Sequence, residues 1–194
     1  MEYSILTISR QYGSGGRLIG AALAERLCIP CYDKMLLTLA AQRSSMDDHF
    51  FTCAEESKIG DFAYPFSPVL PFDLPLNGKI YLAQCAAIEE LAQKGPCILI
   101  GRCADDVLRN RDDVLKVFVF ADLESRKKRA VTEYGDKPEN ITQKILAIDK
   151  RRAAYYRNYT QCEWGAAANY HLCIDSGRVG IAGAVAAIDA AFHR

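Results

Sequence analysis

Apolar positions in this chain follow two rhythms, and the switches between them mark out the elements. Residues 3–8 form a short β-rich run. From residue 16 to 27, Ile19, Leu23 and Leu27 recur at four-residue steps, which predicts a helix with one buried stripe. Residues 29–32 read as a brief second strand with Pro30 near its start, and Asp33 stands as N-cap to a helix over 34–42. Residues 78–94 repeat at helical spacing, with Asn77 before them as a cap and Gly95-Pro96 as the stop. Residues 97–100 and 114–120 are continuous apolar runs, the pattern of strands buried on both faces. Between them lie Gly101-Arg102 and a short helix to about residue 108. A basic helix over 123–134, a turn at 135–138, a long charged helix over 139–159, a last strand at 170–174 and an amphipathic helix over 179–192 complete the chain.

Five short strands alternating with helices predict an α/β fold: a parallel sheet covered on both faces through right-handed crossovers. The 194 residues suit one domain over 1–194. Ligands in such folds sit beyond the carboxyl ends of the strands. That rule gathers residues 9–16, Asp33, Gly101-Arg102, Asp122 and Asp175-Ser176 around one crevice. Two segments depart from the alternation. Residues 44–61 are polar and read as helical in part. Residues 62–77 carry Pro65, Pro68, Pro71 and Pro75 among Phe62, Tyr64, Phe66 and Phe72, which excludes regular helix and central strand. That stretch is a loop, either a flap over a ligand or a structural segment pinned by its aromatics.

Composition narrows the class. Half the residues are hydrophobic, and 24 basic side chains balance 24 acidic ones, so charge makes no case for nucleic-acid binding. No apolar run approaches the ~18–20 residues that cross a membrane. The first residues begin a strand rather than a signal peptide, so a cytoplasmic location is the expectation. The eight cysteines lie mostly inside apolar runs, as small reduced hydrophobes. Cys28 and Cys31 form a C-x-x-C, but it follows a helix, where a redox pair usually opens one. His49, His171 and His193 form no metal-ligand pattern.

The chemistry concentrates at the first strand–helix junction. Gly13-Ser14-Gly15-Gly16 turns directly into the helix, and a glycine loop at a helix N-terminus makes an anion site from backbone amides and the helix dipole. The standard phosphate loop reads G-x-x-x-x-G-K-[ST]. With Gly15 as its second glycine, the first-glycine slot holds Arg10, the lysine slot Gly16 and the hydroxyl slot Arg17. Arg10, Gly13, Ser14, Gly15, Gly16 and Arg17 are therefore the candidate phosphate cradle, with arginine supplying the missing cation. Asp33 and Arg102, at two strand ends, are candidates to hold an acceptor. Arg126 and Arg129 share a helix face, as do Asp149, Arg152 and Tyr156. Such a face would neutralise a migrating phosphoryl group. The candidate catalytic set is Arg17, Asp33, Arg126, Arg129 and Arg152.

In ISRQYGSGGRLIGAALAERL, IPCYDKMLL, KGPCILIGRCADDVL and the D-x-x-R-x-x-x-Y of Asp149, Arg152 and Tyr156, the chain resembles the cytidylate kinase-like proteins, a branch of the P-loop nucleoside monophosphate kinases. The resemblance implies a P-loop NTPase-type three-layer fold with five parallel strands and a helical lid over 123–160. It implies ATP as donor, Mg²⁺, and CMP or dCMP as acceptor. Arg102 and Asp105 match the element that contacts the acceptor nucleotide, with residues 33–95 as the acceptor-binding insert. Arg126 and Arg129 match lid arginines, and residues 175–177 lie where such kinases hold adenine. The chain departs from the family in lacking the loop lysine, and in carrying the proline-rich stretch where an acceptor domain has its own small sheet. Two other readings stay open: a nucleotide- or anion-binding module without chemistry, and a kinase for another small metabolite.

Overall fold

The computed structural model describes residues 3–33 and 76–193. Its elements are β1 (Ile5–Arg10), α1 (Gly16–Leu27), β2 (Cys31–Tyr32), α2 (Leu76–Lys94), β3 (Cys97–Ile100), α3 (Ala104–Val107), β4 (Val114–Phe120), α4 (Leu123–Thr132), α5 (Ile141–Thr160), β5 (Leu172–Asp175) and α6 (Ser176–Phe192). The predicted helix over 34–42, the polar stretch 44–61 and nearly all of the proline-rich loop fall outside the described residues.

The five strands form one parallel sheet in the order β2-β3-β1-β4-β5. Central β1 pairs Ile5 with both Cys97 and Val114. Its period of two sorts its side chains between two cores. Leu6 and Ile8 pack on one face with Ile19 and Leu23 of α1 and Ala184 and Ile188 of α6. Ile5 faces the other way, with Leu99, Val114, Ile88 and Leu91 of α2, and Ala104 of α3. Helices thus cover both faces, as the alternation of elements requires. Leu6, Ile8, Ile19 and Leu23 are fully buried, and each such side chain contributes about 1.5–3 kcal/mol of transfer free energy.

Several boundaries shift, each for a physical reason. β1 runs to Arg10, beyond the apolar stretch, because the ladder continues through Arg10 paired with Val119 and the Gln11 N–H on Val119 O at 3.0 Å. α2 begins at Leu76, so Asn77 lies inside the helix rather than capping it. α6 begins at Ser176, directly after β5, because the Asp175 carboxylate accepts the Gly177 and Arg178 amides as its cap. Gly180, at φ 71° and ψ 175°, then interrupts that helix. Cys28 ends α1 in the left-handed region, and burial pushes the Cys31 thiol up to about 11, which disfavours a thiolate in the C-x-x-C. Among the described residues no helix is long and apolar enough to cross a membrane.

Candidate active site

The glycine loop has the geometry of an anion cradle. Gly13 and Gly15 sit at φ 77° and 84°, and Gly15 is the N-cap of α1. A Cβ at Gly13 would stand 2.5 Å from the Arg126 carbonyl oxygen, and one at Gly15 would collide with Ile181. Only glycine fits both the backbone and the space. The first intrahelical bond of α1 runs from Ile19 N to Gly15 O at 2.9 Å. The amides of Gly16, Arg17 and Leu18 are therefore the unspent donors of the helix mouth, where the dipole adds positive potential.

Arginines crowd that mouth. Arg10 Nη2 lies 3.4 Å from Asp33 Oδ1, and Arg17 Nε lies 2.9 Å from Asp33 Oδ2. Burial, with Arg152, Arg102 and Arg17 close by, holds the Arg10 guanidinium down to about 9 despite Asp33. Its Nε is buried with no hydrogen-bond partner among the described residues. Gly101, at φ 77°, leaves room for the same group, since a Cβ there would overlap Arg10 Nη1. Arg102 follows in the left-handed region at φ 57°, with its guanidinium 5.8 Å from the Tyr155 ring centre. A desolvated guanidinium among like charges, with one carboxylate to share, is an environment that an anion completes.

The arginines of α4 and α5 do something that spacing alone did not disclose. Arg126 Nη1 meets Asp149 Oδ2 at 2.5 Å, almost out of solvent, and the other Asp149 oxygen accepts the Tyr12 N–H at 2.7 Å. Arg129 donates to Gly13 O at 2.8 Å and to Ser176 O at 3.4 Å. Arg152 donates to Arg10 O at 2.9 Å. Ser176 Oγ, fully buried, lies between Ser14 O and Phe120 O, with its single hydroxyl hydrogen shared between the two carbonyls. Where the sequence places Arg126, Arg129 and Arg152 over a migrating phosphoryl group, the structure spends Arg129 and Arg152 on the backbone carbonyls of Gly13, Ser176 and Arg10, and Arg126 on the Asp149 carboxylate that holds the Tyr12 amide. Asp105, paired with Arg102 in the sequence, is 3% exposed and turned inward, accepting from Ser9 Oγ at 3.3 Å and Tyr156 OH at 2.7 Å. Burial raises its pKa. One face of α5 therefore grips the chain at positions 9, 10 and 12, through Tyr156 (by way of Asp105), Arg152 and Asp149. The stripe was visible in the sequence. Its targets, and the part played by Ser176 and Tyr12, were not, because nothing local marks them.

Beside the loop, a cleft of about 400 Å³ is lined by Leu18, Ser125, Lys128, Arg129 and Ile181. It joins the start of α4 to the interrupted start of α6, near the residues 175–177 marked for adenine. Ser14 is fully buried and donates to Gln11 O at 2.9 Å, so it shapes the loop from within. Among the described residues no three His, Cys, Asp or Glu side chains converge as a metal-ligand set. The hydroxyl that would hold Mg²⁺ in a standard loop is Arg17 here. The described residues do not form a cage for that ion.

Comparison with known proteins agrees with the fold and the loop. A model of the cytidylate kinase-like family matches residues 5–178. No curated protein matches the sequence. A crystal structure of an uncharacterized protein from Eubacterium ventriosum ATCC 27560 is similar at 25% identity over 97% of both chains, with a TM-score of 0.73. Shikimate kinase from Bacteroides thetaiotaomicron is similar in fold at 13% identity over 98% of both chains, with a TM-score of 0.57. Shikimate kinase from Acinetobacter baumannii, solved in complex with shikimate, is similar at 14% identity over 96% of this chain and 90% of that one, with a TM-score of 0.53. The three-layer architecture is that of the P-loop kinases. With the match spanning the glycine loop, the Gly101-Arg102 turn and both helices that brace the cradle, the chain belongs to the cytidylate kinase-like family.

Proposed function

We propose that the protein transfers the γ-phosphoryl group of ATP to a nucleoside monophosphate, CMP or dCMP. The observation that carries this reading is Arg10: a buried guanidinium with an unpartnered Nε, crowded by Arg17, Arg102 and Arg152 beside an open helix mouth. The amides of Gly16, Arg17 and Leu18 would hold the donor phosphates. Arg10 and Arg17 would supply the charge that a loop lysine usually brings. The cleft beside Ile181 and Lys128 would take the adenine. Arg102, on the far side of Arg10, would fork onto the acceptor phosphate, and Asp33, released from Arg17, would accept a hydrogen bond from an acceptor hydroxyl. In the transfer an acceptor phosphate oxygen bonds to the γ-phosphorus, the bond to the β,γ-bridging oxygen breaks, and ADP leaves. Such a step asks for positioning and charge neutralisation, and the arginine cluster supports both. Mg²⁺ would arrive as part of the Mg·ATP substrate.

The experiment is ADP release from Mg·ATP with a panel of CMP, dCMP, UMP, AMP, GMP and dTMP, and with shikimate because a fold relative was solved with it. Acceptor-dependent release with CMP or dCMP is expected. Release with shikimate alone would move the protein to another metabolite. A second reading rests on Arg129 and Arg152 being occupied with backbone carbonyls and Arg126 with Asp149: a nucleotide-binding module without chemistry, which would show saturable ATP binding and no product with any acceptor.

A further inference from the structure

The grip of α5 reaches beyond the glycine loop. Arg152 and Tyr155 stand three positions apart on that helix, so they share a face. Arg152 donates to Arg10 O at 2.9 Å. Tyr155 serves the neighbouring strand end, where the Arg102 guanidinium lies over its ring at 5.8 Å from the centre. One rigid helix thus touches the crevice at Arg10, beside the glycine loop, and at Arg102, after β3.

The Tyr155 ring is itself fixed. Its hydroxyl donates to Gln84 Oε1 of α2 at 2.7 Å, and Gln84 is 2% exposed. Gln84 stands in the buried row of α2 between Ile80 and Ile88. An amide at such a depth contributes through its hydrogen bond rather than through packing. Tyr81 meets Tyr155 edge-on at 6.3 Å and Tyr159 meets it at 4.8 Å, while Tyr81 and Tyr159 stack on each other at 3.8 Å. Arg102 is placed with equal care. Gly101, Arg102 and Cys103 stand consecutively in the left-handed region, at φ 77°, 57° and 57°. Residues with side chains are strained there, and such strain persists only where the surroundings hold it. Here the buried Cys103 and the bond from Ala104 N to Gly101 O at 3.1 Å hold it.

We propose that Tyr155 is a positioning residue for Arg102: its ring, latched by Gln84, orders the guanidinium in the conformation that receives the acceptor phosphate. The inference rests on Arg102 being the ligand of that phosphate and adds what prepares it. An arginine loses side-chain freedom when it meets a phosphate, and a ring that has already ordered it lowers that cost. Such a residue sets acceptor affinity without touching the acceptor, and leaves the donor alone.

In the test, CMP and ATP are titrated separately by calorimetry into wild type, Tyr155→Leu, Tyr155→Phe, Arg102→Ala and the double variant of Tyr155→Leu with Arg102→Ala. Ordering one long side chain corresponds to about a 2- to 10-fold change in affinity. Tyr155→Leu is expected to weaken CMP by that factor with ATP unchanged. Tyr155→Phe keeps the ring face and should bind CMP as wild type does. The double variant should bind CMP no more weakly than Arg102→Ala alone, since Tyr155 acts through Arg102. In ligand-free wild type the Arg102 Nε–Hε signal, followed by NMR, should be ordered on the ps–ns timescale and shifted by the ring. A mobile, unshifted signal overturns the proposal even if Tyr155→Leu fails to fold. CMP affinity unchanged or raised in Tyr155→Leu, lowered equally in the Arg102→Ala background, or lowered together with that of ATP overturns the role of Tyr155 and leaves the acceptor reading standing. CMP affinity untouched by Arg102→Ala, or absent in wild type, overturns the acceptor reading itself, and the inference falls with it.

Discussion

A Cβ on Gly16 would stand 2.6 Å from the Cβ of Arg10. In the sequence these residues are two separate anomalies, an arginine where a phosphate loop has its first glycine and a glycine where it has its lysine. In the structure they are one exchange. The stem of Arg10 fills the space over the start of α1 that a side chain at position 16 would need, and its guanidinium reaches on toward Asp33. Under the proposed reading, the cation of the loop stands on the strand instead of on the helix.

Restoring the lysine alone should therefore do harm. Gly16→Lys forces Arg10 aside, and overpacking of this kind costs about 1–3 kcal/mol. A lower midpoint in thermal unfolding is expected, with no gain in ADP release. The double variant Arg10→Gly with Gly16→Lys removes the obstruction and should recover most of the lost stability. A single Gly16→Lys as stable as wild type would refute the exchange.

Arg17 stands at the open end of the cradle, mostly exposed and 2.9 Å from Asp33. Its removal should leave the fold intact and remove charge where it develops. Loss of one such group lowers turnover by about 10²–10³-fold. Arg17→Ala, assayed for ADP release at saturating acceptor, should show that fall, and an unchanged rate would dismiss the phosphate role of Arg17.

The Arg126–Asp149 pair makes the opposite prediction. Both groups are nearly enclosed, and Asp149 also carries the Tyr12 amide. Breaking a buried pair by removing one partner costs about 3–5 kcal/mol. Arg126→Met should therefore lower the urea midpoint strongly, and any loss of activity should follow the loss of the folded loop. Ligand affinity lost without loss of stability would show instead that Arg126 touches the nucleotide.

At the opposite end of β1 and β4, Arg111 forks onto Asp113, Nε to Oδ1 at 2.9 Å and Nη2 to Oδ2 at 2.7 Å, with Ser4 Oγ donating as well. That hydrogen bonding holds the Asp113 carboxyl down to about 2, below its ordinary 3.8. A carboxylate depressed in the folded state adds stability that is complete above its unfolded value and lost as pH falls through the folded one. The stability gap between wild type and Asp113→Asn should thus be constant near neutrality and shrink between about pH 4 and pH 2. The pair is partly solvated, so the gap should be small and screened by salt. A gap that persists unchanged at pH 2 would contradict the assignment.

Much of the fold was legible along the chain. The helix over 16–27 has the boundaries its four-residue apolar steps predict, and the runs at 97–100 and 114–120 are the buried strands their continuous apolarity marks. The glycine loop was legible too, because a strand, a glycine turn and a helix start are neighbours in sequence. The ends of elements were less so. β1 gained Ser9 and Arg10, and α6 gained its first turn, through backbone bonds and a cap that hydrophobicity does not register.

The sequence by itself determined the class of fold and the strand, glycine turn and helix start on which the proposed anion site rests, because periodicity, glycine conformation and helix mouths act over a few residues. The tertiary structure alone decided the strand order and what each arginine does. The bonds from Asp149 to Tyr12 and from Arg152 to Arg10 span 137 and 142 positions. No local pattern tells a guanidinium that will meet a phosphate from one that will hold the loop beneath it. That difference lies in distance and burial, which exist only after the sheet has brought the two ends of the crevice together.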